Sequence, residues 1–296
     1  MNVVGGRFAL SIRGVGLDFA AITDGIGLTP VKLVKQGEHI SPSTIAPTDG
    51  WLYHHEFTET IDDGAATLAQ LLQEVAPGAP YARALQSHPD VTKVEIDCYV
   101  RSDWAHVWFD WPVEIIRLAH QVGLNLDVHI LSFGDATETL PLWWFAAVTN
   151  NHVGIENRFM DMADRVTFSI RGTSLDFDAI SKVVGLPPTH TVAQGEEVRG
   201  QPAPADGWFH SRTVTEEART MVDVLTGLLN DLRPQERTIC QMNARPEVQS
   251  LTVDCSVRSD AGQMGVLLPI TVFDRLQALN SGLMFYFASE GWAENE

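Results

Sequence analysis

The stretch Arg7-Phe-Ala-Leu-Ser-Ile-Arg-Gly14 decides the fold, because it returns in closely related form as Arg165-Val-Thr-Phe-Ser-Ile-Arg-Gly172. Other matches follow in the same order, and Asp49-Gly-Trp51 returns as Asp206-Gly-Trp208. A repeat unit this long predicts two tandem copies of one domain, since the units of solenoid proteins are much shorter. The repeat is also an internal control, because the shared fold does not require a residue that only one copy contains.

Each copy alternates apolar and polar residues in the way that is typical of half-buried strands. In the clearest strand, Ile96 and Cys98 are expected to face inward and Asp97 outward, with the same contrast for Cys255 and Asp254. The strands and helices follow in the order β-α-β-α-β-β-α-β. This order predicts an α+β fold, in which each copy is an α/β sandwich with a mostly antiparallel sheet and helices on one face.

The repeat sets the expected domain boundaries. We expect a first domain at residues 1–133, an interdomain linker at 134–164 and a second domain at 165–296. The linker contains an apolar stretch around Trp143, Trp144 and Phe145. This stretch is too short to span a bilayer. It either packs between the domains or docks a partner.

The composition limits the class of partner. Of the 296 residues, 38 are acidic and 20 are basic, which gives a net charge of −18. Such a charge repels nucleic acids and anionic membranes and attracts basic partners. The alternative is that the charge serves only to keep the protein soluble. The three cysteines form no CxxC motif, and no signal peptide is visible. We therefore expect a cytoplasmic protein that binds neither nucleic acid nor membrane.

The order of motifs resembles a known family. A strand ends in Ile12-x-Gly14, a helix follows with Leu17-Asp-x-x-x-Ile22, and then come Gly27-Leu-x-Pro30, Gly37-Glu38 and Gly50-Trp51. This order is similar to that of the bacterial DUF4279 family of uncharacterised domains, across residues 7–131 and 165–288. The resemblance implies no catalytic residues. It implies a relation to immunity proteins of toxin systems, which some family members resemble.

Several kinds of active site are disfavoured by the sequence. A metal site is disfavoured because adjacent His54 and His55 would point to opposite faces of a strand. The second copy has Ser211 and Arg212 in their place. The sequence contains no complete GxGxxG, no P-loop and no G-x-S-x-G motif. We therefore expect a protein that is not an enzyme and has no cofactor or bound metal.

Two sets of repeated residues are candidates for binding. Trp51 and Trp208 open equivalent strands after long polar loops that carry Glu38 and Glu196. They either plug the end of the core or line a small-molecule pocket. The second set should lie on the sheet face opposite the helices, where it forms solvated charge pairs or a ligand-binding or docking face. It consists of Arg13, Asp97, Arg101, Arg171, Asp254 and Arg258.

The leading hypothesis is an acidic binding protein that neutralises a basic bacterial toxin by direct contact. Its candidate contacts are acidic residues at loops and helix starts, namely Asp62, Asp63, Asp103, Asp110, Glu216 and Glu217. The alternatives are a small-molecule sensor or unrecognised enzyme with a loop-covered pocket near Trp51 or Trp208, and a structural subunit that docks through the linker.

Overall fold

The structure is a computed structural model that describes residues 3–41, 44–58, 61–102, 106–132, 165–198, 201–214, 220–259 and 262–289. The strands of the first repeat are β1 Val3–Gly14, β2 Lys32–Val34, β3 His39–Ser41, β4 Thr44–Ile45, β5 Asp49–Phe57, β6 Val91–Ser102, β7 His106–Trp111 and β8 Asn125–Ser132. Its helices are α1 Phe19–Ile26, α2 Ile61–Val75, α3 Ala79–Leu85 and α4 Val113–Val122.

The second repeat contains the same elements in the same order. Its strands are β9 Arg165–Gly172, β10 His190–Val192, β11 Glu197–Val198, β12 Gln201–Pro202, β13 Asp206–Thr213, β14 Val248–Ser259, β15 Gln263–Leu268 and β16 Gly282–Ser289. Its helices are α5 Phe177–Val184, α6 Met221–Leu232, α7 Glu236–Asn243 and α8 Ile270–Leu279. The α+β class predicted from the sequence is therefore confirmed.

Each repeat is built on a six-stranded sheet. The first sheet has the order β15-β8-β6-β1-β5-β2, and the second has the order β10-β13-β9-β14-β16-β7. All neighbouring strands are antiparallel except one parallel pair in each sheet, β6 with β8 and β14 with β16. The expected mostly antiparallel sheet is thus present in both copies.

The two repeats exchange equivalent strands. Strand β7 leaves the first repeat and pairs with β16, so that Phe109 lies opposite Phe285. Strand β15 leaves the second repeat and pairs with β8, so that Val266 lies opposite Val128. Each sheet therefore contains five strands of its own repeat and one strand of the other.

The exchange joins the apolar interiors of the two repeats into one continuous core. The indole of Trp111, on β7, lies 5.6 Å from the ring of Phe285 and 6.3 Å from that of Phe273. Helices α4 and α8 pack along each other at the same junction. Their exposed sides are joined by a 2.9 Å contact between His120 Nδ1 and Asp274 Oδ1.

Local sequence signals fix the elements inside each repeat. The side chains of Asp18 and Asp176 accept hydrogen bonds from the N–H groups of Ala21 and Ala179 and so cap α1 and α5. Such a cap stabilises a helix by about 1 kcal/mol. Both helices end at a glycine with positive φ, a conformation that carries little steric penalty without a Cβ atom.

The buried cysteines follow the predicted strand alternation. Cys98 and Cys255 occupy equivalent inward positions and are buried, and burial raises the pKa of both thiols. A thiol held in this way stays protonated and serves as a small apolar group. Among the described helices, none combines the length and apolar character needed to cross a membrane.

Candidate functional site

A compact charged cluster lies on the outer face of the first sheet, opposite the helices. It consists of Lys93, Glu95 and Asp97 from β6 and Asp127 and His129 from β8, and we call it the Lys93 cluster. The parallel pairing of β6 and β8 sets Asp97 directly beside Asp127. Lys93 Nζ lies 3.1 Å from Asp127 Oδ2 and 3.4 Å from Asp97 Oδ1, and it also contacts the buried Glu95.

The Lys93 cluster has the composition of a cation site. Ligand atoms of Asp97, Asp127 and His129 all lie within 4.8 Å of one another, and these side chains are common metal ligands. However, the ammonium group of Lys93 already lies among the carboxylates. The arrangement can hold a cation, and the chain itself contributes one. Glu95, Asp127 and His129 were not predicted as site residues, although their alternation along the strands places them on this face.

The equivalent position in the second sheet lacks such a cation. Asp254, the counterpart of Asp97, is buried, and its Oδ2 accepts a 2.5 Å hydrogen bond from Ser169 Oγ. Its Oδ1 has no hydrogen-bond partner. Thr167 lies directly opposite Asp254 on β9, and Met284 lies opposite it on β16.

Asp110 reaches the same face of the second sheet through the exchanged strand β7, where it lies opposite Met284. It keeps contact with solvent, although many protein atoms surround its carboxyl group. Burial, and then the charge of Asp254, raise the pKa of Asp110 to about 6. The two carboxylates thus lie on either side of Met284, one from each repeat.

The outer faces of the two sheets differ in exposure. In the first sheet Arg13 and Arg101 are exposed and Asp97 is partly exposed, as a solvated face requires. In the second sheet Arg258 is partly exposed, but Asp254 and Arg171 are buried. The expectation of a solvated face is therefore wrong for these last two residues.

The burial of Arg171 has a local cause. Its guanidinium lies 5.6 Å from the ring of Phe209, a residue whose counterpart in the first repeat is Leu52. Phe209 is itself buried with Val192 and Ala203 in a small apolar cluster beside the β11–β12 hairpin. The larger ring thus gives the second sheet a covering that the first lacks.

A second polar cluster joins β5 to α2 on the helix side of the first sheet. Glu74 Oε2 accepts a 2.5 Å hydrogen bond from the hydroxyl of Tyr53 and lies 2.7 Å from His55 Nε2. Hydrogen bonds from Tyr53, Gln70 and His55 lower the pKa of Glu74 to about 2, and the bond to Glu74 raises that of Tyr53 to about 12. Both values move away from neutrality, which suits a fixed bridge better than proton transfer.

The internal control supports this structural interpretation. At the positions of His55 and Glu74 the second repeat has Arg212 and Asp231, which form an ion pair between β13 and α6. Both repeats therefore join the same strand to the same helix by a charged contact, with different residues.

The twin tryptophans belong to the core. Trp51 and Trp208 are fully buried. Their indole N–H groups donate 3.0 Å hydrogen bonds to Thr23 Oγ1 on α1 and to Ser181 Oγ on α5. They therefore plug the end of each core, and a helix rather than the polar loop provides the hydrogen-bond acceptor.

Glu38 and Glu196 do not join the tryptophans in a pocket. Both are exposed. Each carboxylate accepts a 2.9 Å hydrogen bond from a backbone N–H three residues earlier, at Lys35 and Ala193. The glutamate of each repeated Gly-Glu pair therefore stabilises a local turn.

Asp49 and Asp206 hold the long loops, a role that was not predicted from the sequence. Asp49 accepts hydrogen bonds from the backbone N–H groups of Leu17 at 2.9 Å and Gln36 at 2.8 Å. Asp206 does the same for the equivalent residues of the second repeat. The bond from Gln36, followed by the others, lowers the pKa of Asp49. Both aspartates belong to the repeated Asp-Gly-Trp sequence, and this repetition was the sequence signal that could have identified their role.

A small cavity lies at the junction of the repeats, between α2 and the exchanged strand β7. Its volume of about 10 Å³ admits about one water molecule. Its lining includes Phe57, Gly64, Phe109 and Trp111. A cavity of this size is too small for a metabolite.

Of the acidic contact candidates, Asp110 lies on β7, and Asp62 and Asp63 lie in the first turn of α2. Asp103, Glu216 and Glu217 fall outside the described residues, as do Trp143, Trp144 and Phe145 of the linker. The structure brings Asp110 near Asp254. The role of the six acidic residues as partner contacts stays a prediction.

Comparison with known proteins yields one match. The sequence model of DUF4279, described as a domain of unknown function, matches residues 6–133 and again residues 162–287. No curated protein and no solved structure matches the chain.

Proposed function

The chain belongs to the DUF4279 family, whose description states no function, and from its charge we propose that it is a non-enzymatic acidic binding protein. Its partner in this proposal is a basic protein, and the sharpest version is a toxin that the chain neutralises by covering a basic surface. The observation that carries the proposal is the acidic excess, 38 acidic residues against 20 basic residues.

The ion pairs of the described residues support this interpretation. Lys93 is shared by three carboxylates, whereas Arg275 with Glu236 and Arg212 with Asp231 form single pairs. These three basic residues are thus paired within the chain. The surplus negative charge is left to attract a partner of the opposite sign, and it would act first on the rate of encounter.

The experiment is co-expression of the chain with the product of a flanking gene that encodes a basic, growth-inhibiting protein. We expect the two proteins to co-purify in about 50 mM salt, to separate as ionic strength rises, and to restore growth together. Absence of both a complex and protection would overturn the proposal.

A variant sharpens this experiment. Asp62→Asn combined with Asp63→Asn removes two charges from the first turn of α2. We expect the association rate to fall several-fold while the dissociation rate changes little, because charges at the edge of an interface act mainly on encounter. Gln73→Ala, at an exposed site on the same helix, is the matched control without a change of charge.

A further inference from the structure

Asp254 is a buried carboxylate without a complete set of partners. It is 5% exposed, Ser169 donates to its Oδ2, and its Oδ1 has no hydrogen-bond partner. An ionised carboxylate in such a place is unfavourable unless a positive group or further donors compensate for the lost water. The described contacts of Asp254 provide no such cation, so the site is suited to bind one.

The first repeat shows which cation fits this position. There, Asp97 Oδ1 lies 3.4 Å from the ammonium nitrogen of Lys93, four residues earlier on the same strand. The second repeat has Ser250 at the equivalent of Lys93. The register is the same in both sheets, since Lys93 lies opposite Arg13 and Ser250 lies opposite Arg171. The second repeat thus keeps the carboxylate and lacks the ammonium group.

Asp110 provides a second carboxylate and a route from solvent. It lies across Met284 from Asp254 on the same face of the sheet, and it is exposed. The proximity of Asp254 contributes to the raised pKa of Asp110. Ser169 and Thr167 add hydroxyl groups beside Asp254. Carboxylate and hydroxyl oxygens are suitable acceptors for the three N–H donors of an ammonium ion.

A metal ion is the weaker candidate for this site. Within the described part of the chain, the one group of three or more His, Cys, Asp or Glu residues at a spacing suited to a metal ion is Asp97, Asp127 and His129, and Asp110 and Asp254 are not in it. The backbones of Asp110 and Asp254 are separated by the strand that carries Met284, or about 10 Å at ordinary strand spacing. A lysine head group can enter between them on its own flexible stem.

We propose that Asp110 and Asp254 form a binding site for a primary ammonium group, which a lysine side chain of the protein partner inserts over Met284. The assignment of the lysine to a partner rests on the proposed function. The preference of the site for an ammonium group rests only on the comparison of the two repeats. The ammonium site and the partner lysine can therefore be tested separately.

The first experiment titrates the full chain with n-butylammonium chloride at constant ionic strength and follows binding by calorimetry and by the melting temperature. We expect saturable binding and a rise in melting temperature that potassium chloride does not produce. Asp254→Asn should weaken binding about tenfold or more, since charge-assisted hydrogen bonds are lost. Equal effects of butylammonium and potassium would overturn the proposal.

Ser250→Lys is the decisive variant, because it copies Lys93 into the second repeat. We expect it to raise the melting temperature and to abolish butylammonium binding, since its own ammonium group fills the site. Ser250→Gln is the matched control, because it has a long polar side chain without the charge, and it should leave binding intact. Unchanged butylammonium binding by a folded Ser250→Lys variant would contradict the site.

The partner lysine is tested with the complex. Asp254→Asn should weaken the complex about tenfold or more, and millimolar butylammonium should compete with the partner. Butylammonium binding together with an unchanged complex would overturn the assignment to a partner lysine while leaving a site for free amines. Failure to find any basic partner would overturn the proposed function and leave the butylammonium result standing.

Discussion

Asp110 illustrates how its surroundings set the behaviour of a single side chain. Its pKa of about 6 lies above the ordinary 3.8 of an aspartate, so the folded chain holds this proton more tightly than the unfolded chain. The stabilising contribution of the proton is complete below about pH 4 and is lost as the pH rises through about 6.

We predict that Asp110→Asn has a higher melting temperature than the natural chain above about pH 6, and that the difference disappears below about pH 4. Melting curves across this range provide the measurement. Asp24→Asn, at an exposed site on α1, is the control. A difference that does not change with pH would contradict the raised pKa of Asp110.

The loop-holding aspartates lead to a second prediction at this scale. Asp49→Ala leaves the N–H groups of Leu17 and Gln36 without their acceptor. We expect the free energy of unfolding to fall by about 2 kcal/mol, with a similar loss for Asp206→Ala. Chemical denaturation measures both variants. Asp24→Ala is the surface control, with an expected change within about 0.5 kcal/mol.

The residues of the site were only partly predictable from sequence. Asp97 and Asp254 were identified because both copies contain them, and period-two alternation placed them on the outer face. The burial of Arg171 was not predictable, because it depends on Phe209 of a neighbouring strand. The role of Asp110 depends on a strand pairing that is not encoded near it in sequence.

At the scale of secondary-structure elements, the bridge between β5 and α2 is a testable unit. The low pKa of Glu74, about 2 against an ordinary 4.5, means that its ionised form stabilises the fold above about pH 4.5, and that this contribution is lost as the pH falls towards 2. Tyr53 provides the largest part of this effect.

We predict that Tyr53→Phe destabilises the chain by about 1 kcal/mol at neutral pH and that the difference narrows as the pH falls below about 4.5. Urea denaturation at a series of pH values measures it. Tyr99→Phe, on the outer face of β6, is the matched control. If Tyr53→Phe were as stable as the natural chain at neutral pH, the bridge would not contribute to folding.

Helices and strands were largely predictable because their signals are local. Asp18 and Asp176, which are common N-cap residues, stand directly before the helices that they cap, and the predicted inward phase of Cys98 and Cys255 is correct. The exchange of β7 and β15 was not anticipated. The two repeats offer nearly the same sheet edge, so a pattern of apolar residues fits either edge equally well.

For the whole molecule, the continuous core predicts cooperative unfolding. Leu71 and Leu228 are equivalent, fully buried residues on α2 and α6. We expect Leu71→Ala and Leu228→Ala each to lower the temperature of one shared transition, with a loss of about 3 kcal/mol. Differential scanning calorimetry should show a single peak whose calorimetric and van't Hoff enthalpies agree. Two separate peaks would show that the repeats unfold independently.

The strand exchange also bears on how the two faces of the molecule can diverge. Two identical chains that exchanged these strands would form a symmetric pair, in which every substitution appears on both faces at once. Covalent joining removes that restriction, because each face is encoded separately while the interior remains shared. Lys93 on one face and Ser250 on the other are such a difference. Substitutions can thus alter the outer surface of one half while the other half continues to support the common interior.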